Sequence, residues 1–109
     1  MKIQTNTDNN IHGHERLAGQ VSDTVEKALQ RYKGQITRVE VHLSDENADK
    51  NGPRDQRCMV EARLEGRQPV TATAVAPTLP QAVQEAADKL ARQLDTQIGR
   101  ANRMLFPED

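Results

Sequence analysis

Four cations recur along the C-terminal part of this chain: Lys89, Arg92, Arg100 and Arg103, at steps of three, eight and three, with Thr96 filling the gap. On a helix, at about 100° per residue, those steps gather on one side. A rib of guanidinium and ammonium groups is suited to phosphate. The planar guanidinium grips two oxygens at once and the ammonium acts as a point charge. Solvated helix faces carry the same residue types for another reason, and Glu85–Lys89 and Asp88–Arg92 stand at the i,i+4 spacing of surface ion pairs. On composition alone the solvated-face reading is the stronger, but Arg100 and Arg103 have no acid four residues before them, which shifts the balance slightly toward a phosphate-contacting role. A second cluster, Lys27, Arg31 and Lys33, falls where the end of a helix would favour cations through its dipole.

Other reactive residue types are sparse. His12 and His14 form an H-x-H pair, and His42 lies apart from them. Zinc needs three or four ligands in defined geometry, and no Cys or carboxylate stands at ligand spacing nearby, so no metal site is assigned; zinc titration would test a sensing role for the pair. The single Cys58 falls on the apolar side of an alternating segment and reads as a small core residue. It has no partner for an internal disulfide, which fits a reducing compartment. The chain contains no G-x-x-x-x-G-K-[ST], G-x-G-x-x-G or G-x-S-x-G pattern, so neither an enzyme nor a cofactor is expected. Net charge is -1, from 15 basic and 16 acidic residues, so any attraction for nucleic acid must come from the arrangement of charge. No apolar run approaches the roughly 20 residues of a membrane span, and MKIQTNTDNN lacks a signal peptide's apolar centre. The expected location is cytoplasmic, with no membrane and no small-molecule substrate.

The elements that would position these residues follow from periodicity. Lys2 to Thr7 alternates as a short strand, and Asp8-Asn9-Asn10 marks a turn. Leu17, Val21, Val25, Ala28, Leu29 and Tyr32 recur at helical spacing, which predicts a helix from His14 to Tyr32 ended by Gly34. Gln35 to Ser44 alternates with Val39, Val41 and Leu43 inward. Asp45 to Asp55 reads as a polar hairpin loop around Asn51-Gly52-Pro53. Gln56 to Glu65 places Cys58, Val60, Ala62 and Leu64 inward, and Val70 to Ala76 turns Thr71 and Thr73 outward. Leu79 to Arg103 is one long helix whose apolar face comprises Leu79, Val83, Ala86, Ala87, Leu90, Leu94 and Ile98. The predicted architecture is α+β: a two-layer sandwich in the order β-α-β-β-β-α. A mostly antiparallel four-stranded sheet would carry both helices on one face. With 109 residues the chain reads as a single domain over 1–103 with a short tail, 104–109.

At Asp88 to Leu94 the string DKLARQL resembles the second-helix motif of the ribosome hibernation-promoting factor family, which includes the ribosome-associated inhibitor of translation. The resemblance extends to Met1-Lys2-Ile3-Gln4, to Asn9-Asn10-Ile11, to Leu29-Gln30-Arg31-Tyr32 and to the alternating strand Ile36 to Leu43, covering about residues 1–103. It implies a fold similar in topology to double-stranded RNA-binding domains. It also implies binding of the small ribosomal subunit and its ribosomal RNA (rRNA) at the subunit interface, over the channel for messenger and transfer RNA, with translation silenced under stress or in stationary phase. Carried over by position, Lys89 and Arg92 match the motif, and Lys27 and Arg31 match basic positions near the end of the first helix. With Arg100 and Arg103 they form the expected RNA-binding set. The chain departs from the family pattern at Asp95, Thr96 and Ile98, where alternating lysines are usual, at Lys33 in place of an aromatic, and at Pro77-Thr78-Leu79-Pro80. It reads as a divergent short form and as a monomer, since longer members carry a C-terminal dimerisation domain.

The alternative reading is a protein-binding regulatory domain on the same fold that has lost ribosome binding. Its contact surface would be the outward sheet face, with Arg38, His42, Arg57, Met59, Arg63, Thr71 and Thr73. A continuous positive face across both helices would favour RNA, and a face with acids interleaved would favour a protein partner.

Overall fold

The alternating segments form strands and the segments of helical period form helices. In a computed structural model of the chain the order is β1 (Lys2–Thr7), α1 (His14–Leu29), a short 3-10 turn (Gln30–Tyr32), β2 (Ile36–Asp45), β3 (Gln56–Leu64), β4 (Val70–Ala76) and α2 (Leu79–Leu105). The structure describes residues 1–7, 14–45 and 56–105, and the side chains of 1–7, 16–45 and 56–98. The turn expected at Asp8-Asn9-Asn10, the loop around Asn51-Gly52-Pro53, the His12–His14 pair as possible ligands and the last residues of the tail lie outside this set.

The sheet order is β1-β2-β3-β4. β2, β3 and β4 form the expected antiparallel meander, with Val41 opposite Val60 and Val60 opposite Ala72. β1 instead pairs parallel with β2, Ile3 opposite Val39. The helix α1 between them explains this, because a parallel pair needs a crossover that returns the chain to the starting end of the sheet. A register shift between Ile36 and Arg38 resets the alternation, so Ile36 and Val39, three residues apart, are both buried. At this bulge the Thr37 hydroxyl donates to the Arg63 carbonyl at 3.0 Å. The β3–β4 connection turns on Gly66, whose φ of 71° lies in the left-handed region open to glycine.

Both helices pack on one face. Val21, Val25 and Leu29 of α1 and Ala82, Val83, Ala86, Ala87, Leu90, Leu94 and Ile98 of α2 are buried against Val39, Val41, Cys58, Val60, Ala62 and Ala72. Alanines recur where α2 meets the sheet, and they let helix and strands approach closely. α2 lies against β4 and β3, and α1 against α2 and β1. Contacts advance together along the two helices, from Leu17 and Val21 near Pro80 and Val83 to Arg31 at Asp95, so the helices run side by side in the same direction.

Both helix ends depart from the periodicity reading. α1 stops at Leu29 and tightens into the 3-10 turn, where the Lys33 N–H donates to the Gln30 carbonyl at 3.2 Å and the Gln35 N–H to the Tyr32 carbonyl at 2.9 Å. These bonds satisfy the last carbonyls without a left-handed glycine, and Gly34 has no positive φ. Tyr32, 7% exposed, anchors the turn in the core. α2 begins with a cap that periodicity does not reveal. Thr78 Oγ1 accepts the Gln81 N–H at 3.3 Å, the N-cap bond, and donates to Gln81 Oε1 at 3.2 Å, which holds the two side chains together. At its other end α2 continues to Leu105, two residues beyond the expected limit.

Candidate nucleic-acid interface

The expected RNA-binding cations fall at four places. Lys27 is exposed on α1 and lines an open groove of about 370 Å3 with Asp23, Thr24, Ala28 and Gln84. Lys89 and Arg92 share a second cleft of about 390 Å3 on the other side of α2, with Ala74, Val75, Glu85 and Asp88. Arg31 lies between the helices. Its Nη2 meets Asp95 Oδ1 at 3.0 Å, and its guanidinium carbon stands 5.6 Å from the centre of the Tyr32 ring. Arg100 and Arg103 occupy the last turns of α2, and their side chains lie outside the described set.

The i,i+4 pairs suggested by spacing do not form. Lys89 turns to the sheet, where its Nζ donates to the Thr73 carbonyl at 3.0 Å, and Asp88 accepts the Gln84 side-chain amide at 3.0 Å. Among the described residues this leaves Arg92 and Glu85 exposed with no ion pair, and Lys27 likewise. The competing bonds explain the outcome. An exposed i,i+4 pair is worth about 0.3–0.5 kcal/mol, less than a lysine ammonium gains from an open strand-edge carbonyl.

The exposed helix surface is mixed. Asp23, Glu26, Glu85 and Asp88 stand among Lys27, Lys89 and Arg92, and Asp95 neutralises Arg31. By the criterion set from sequence, this interleaving is the pattern that favours a protein partner. The Asp95–Arg31 contact was not visible in the sequence because it joins residues 64 apart.

The outward sheet face is internally compensated. Glu40 lies opposite Glu61, and Arg38 opposite Arg63. Like charges in register repel, and the side chains avoid this by pairing along the strands and across the diagonal. Arg38 meets Glu40 at 2.9 Å, Arg63 meets Glu61 at 3.3 Å and Glu40 at 3.9 Å, and Arg38 also donates to the Gln4 side chain. Two of the three arginines proposed for a protein contact, Arg38 and Arg63, are therefore committed to glutamates.

Cys58 is fully buried, and burial pushes its thiol up to about 12, so the thiolate needed of a nucleophile is scarce at neutral pH. Among the described residues, no three His, Cys, Asp or Glu side chains gather into a metal-binding group. No described helix is long and apolar enough to cross a membrane.

The sequence model of the family described as "Sigma 54 modulation protein / S30EA ribosomal protein" matches residues 4–102. Among solved structures, the N-terminal domain of Protein Y from Thermus thermophilus superposes with a TM-score of 0.70 at 20% identity, over 88% of this chain and 98% of that one. A ribosomal subunit interface protein from Coxiella burnetii superposes with a TM-score of 0.64 at 19% identity, over 91% and 99%. Comparison with curated protein sequences finds no match.

Proposed function

The chain belongs to the sigma 54 modulation protein / S30EA ribosomal protein family, and from that membership we propose that it is a non-enzymatic, cytoplasmic factor that docks on the small ribosomal subunit and silences translation under stress or in stationary phase. The observation that carries the reading is the family match across 4–102, which spans most of the sheet, all of α1 and most of α2. The names of the two structural neighbours, Protein Y and a ribosomal subunit interface protein, point the same way.

In this reading Lys27, Arg31, Lys89, Arg92, Arg100 and Arg103 contact phosphates of rRNA, and the sheet buttresses the helices that carry them. Lys27 and Arg92, exposed and without acidic partners among the described residues, are the most available. Lys89 gives up its hydrogen bond to the Thr73 carbonyl to make its contact, and Arg31 gives up Asp95. Co-sedimentation with small ribosomal subunits across a salt series tests the reading. Binding should fall steeply with salt, since each phosphate contact releases counterions. The double variant Arg92→Glu/Arg100→Glu should lose binding and remain folded, because Arg92 is exposed and Arg100 lies off the apolar stripe in sequence. Binding equal to wild type in that variant removes the rib from the mechanism.

The mixed helix surface supports the second reading, a regulatory domain that docks on protein. Absence of small-subunit binding at low salt would select it.

A further inference from the structure

β4 ends the sheet, and among the described residues its outer edge has no partner strand. The bond from Lys89 Nζ to the Thr73 carbonyl shows that this carbonyl faces away from the ladder with β3. In an antiparallel ladder the N–H and C=O of one residue point the same way, and the direction alternates along the strand. Thr71, Thr73 and Val75 therefore present their backbone groups to the open edge. Val75, at 51% exposure, is a large apolar side chain left on that edge. Beside it runs the cleft whose helical wall is Glu85, Asp88, Lys89 and Arg92.

The order of charges on that wall is E-x-x-D-K-x-x-R. Read backwards with the signs exchanged, it is unchanged. A two-fold axis passing between Asp88 and Lys89 sets Glu85 opposite Arg92, and Asp88 opposite Lys89, of an antiparallel second copy. This is the self-complementarity an isologous interface requires. The strand agrees in height. Lys89 is held at Thr73, so the same axis passes beside Thr73, and antiparallel pairing of two β4 strands centred there sets Val75 across from Thr71 of the second copy. Paired strands lie about 4.8 Å apart, so two α2 helices seated over the β3–β4 side of each sheet stand roughly 10 Å apart or slightly more, within reach of long charged side chains. Glu85 and Arg92 are the two charges of the wall that no group among the described residues satisfies.

We infer that the β4 edge and the outer wall of α2 form a self-association surface for a second copy of this chain. Two four-stranded sheets would join into one, closed by two Glu85–Arg92 and two Asp88–Lys89 pairs. In the solitary chain Lys89 covers the Thr73 carbonyl and blunts the edge. In the pair that carbonyl takes an N–H from the second copy, and Lys89 turns to the facing Asp88. Pairing would bury Lys89 and Arg92, so it would compete with RNA contact through α2; this consequence rests on the proposed function, whereas the pairing does not. It stands against the monomer expected from sequence.

Sedimentation velocity of the full chain at low salt and rising concentration tests the inference. The mass should move from 12.2 kDa toward twice that value and return as salt is raised. Glu85→Arg and Arg92→Glu should each weaken pairing about tenfold, since each turns two symmetry-related attractions into repulsions. The double exchange Glu85→Arg/Arg92→Glu should recover it, because both pairs re-form with polarity reversed. Thr73→Pro removes an N–H that β3 does not use, so it should abolish pairing while the thermal transition persists. A monomer mass at every concentration, or a double exchange no better than its single variants, overturns the inference. Small-subunit binding is read separately with Glu85→Arg, which keeps all six proposed RNA cations. Absence of ribosome binding in that variant, with pairing of the wild-type chain intact, counts against the proposed function alone.

Discussion

Asp95 holds a cation that the proposed function needs elsewhere. It meets Arg31 at 3.0 Å, and the two side chains are 43% and 76% exposed. Replacing Asp95 with Asn removes one surface ion pair and leaves the Arg31 guanidinium over Tyr32. At that exposure the stability change stays below about 0.5 kcal/mol, a shift of only about 2–4 °C in melting temperature. The effect on RNA is larger. If Arg31 makes one further phosphate contact, the logarithmic dependence of affinity on salt steepens by about 0.9. The variant-to-wild-type affinity ratio should then be about 3.5-fold greater at roughly 50 mM salt than at roughly 200 mM. Filter binding or co-sedimentation with small subunits over that salt range measures the ratio, and circular dichroism checks the fold. A folded Asp95→Asn protein with wild-type affinity and wild-type salt slope would refute the reasoning and remove Arg31 from the contact set. The further variant Arg31→Ala on the Asp95→Asn background should return the slope to or below its starting value.

Leu90 is fully buried at the centre of α2, and Leu90→Ala should cost about 2.7–5 kcal/mol, a large part of the roughly 5–15 kcal/mol typical of such domains. Urea denaturation would show it as a lowered midpoint at unchanged slope, and a loss below about 1 kcal/mol would mean that the packing around Leu90 is looser than described. Cys58 gives a pH dependence whose sign is fixed. Its thiol is raised from 9.0 to about 12, so its contribution is fully present below pH 9, where both folded and unfolded chains carry the proton, and is lost as pH rises from 9 toward 12. The slope of that loss is about 1.4 kcal/mol per pH unit, and Cys58→Ala should flatten it in urea midpoints compared at about pH 8 and about pH 10.5. Equal alkaline sensitivity in both proteins would assign the effect to other groups.

Periodicity alone carried most of the fold. Strict alternation in Val39-Glu40-Val41-His42-Leu43 and in Cys58 to Leu64 left one inward face for each strand, and the burial pattern follows it. The 3.6-residue recurrence from Leu79 to Ile98 placed α2 on the sheet for the same reason, since an apolar stripe must find an apolar layer. The string DKLARQL pointed to the family whose model covers 4–102. Parallel pairing of β1 with β2 was not stated by the residues, because the six residues of β1 alternate identically in either direction. The bulge at Ile36 was likewise invisible, since one unpaired residue leaves no mark on composition.

The sequence by itself determined which residues are cations and on which side of each helix they stand, because helix and strand periods are local properties of the chain. Which of those cations are available only the tertiary structure decided. Arg31 meets an acid 64 residues away, Lys89 meets a carbonyl of an edge strand, and Arg92, chemically alike and one turn from Lys89, meets neither. A charge's partners are set by what the fold brings within a few ångströms, and Coulomb attraction falls too quickly through water and salt for spacing along one helix to choose among them.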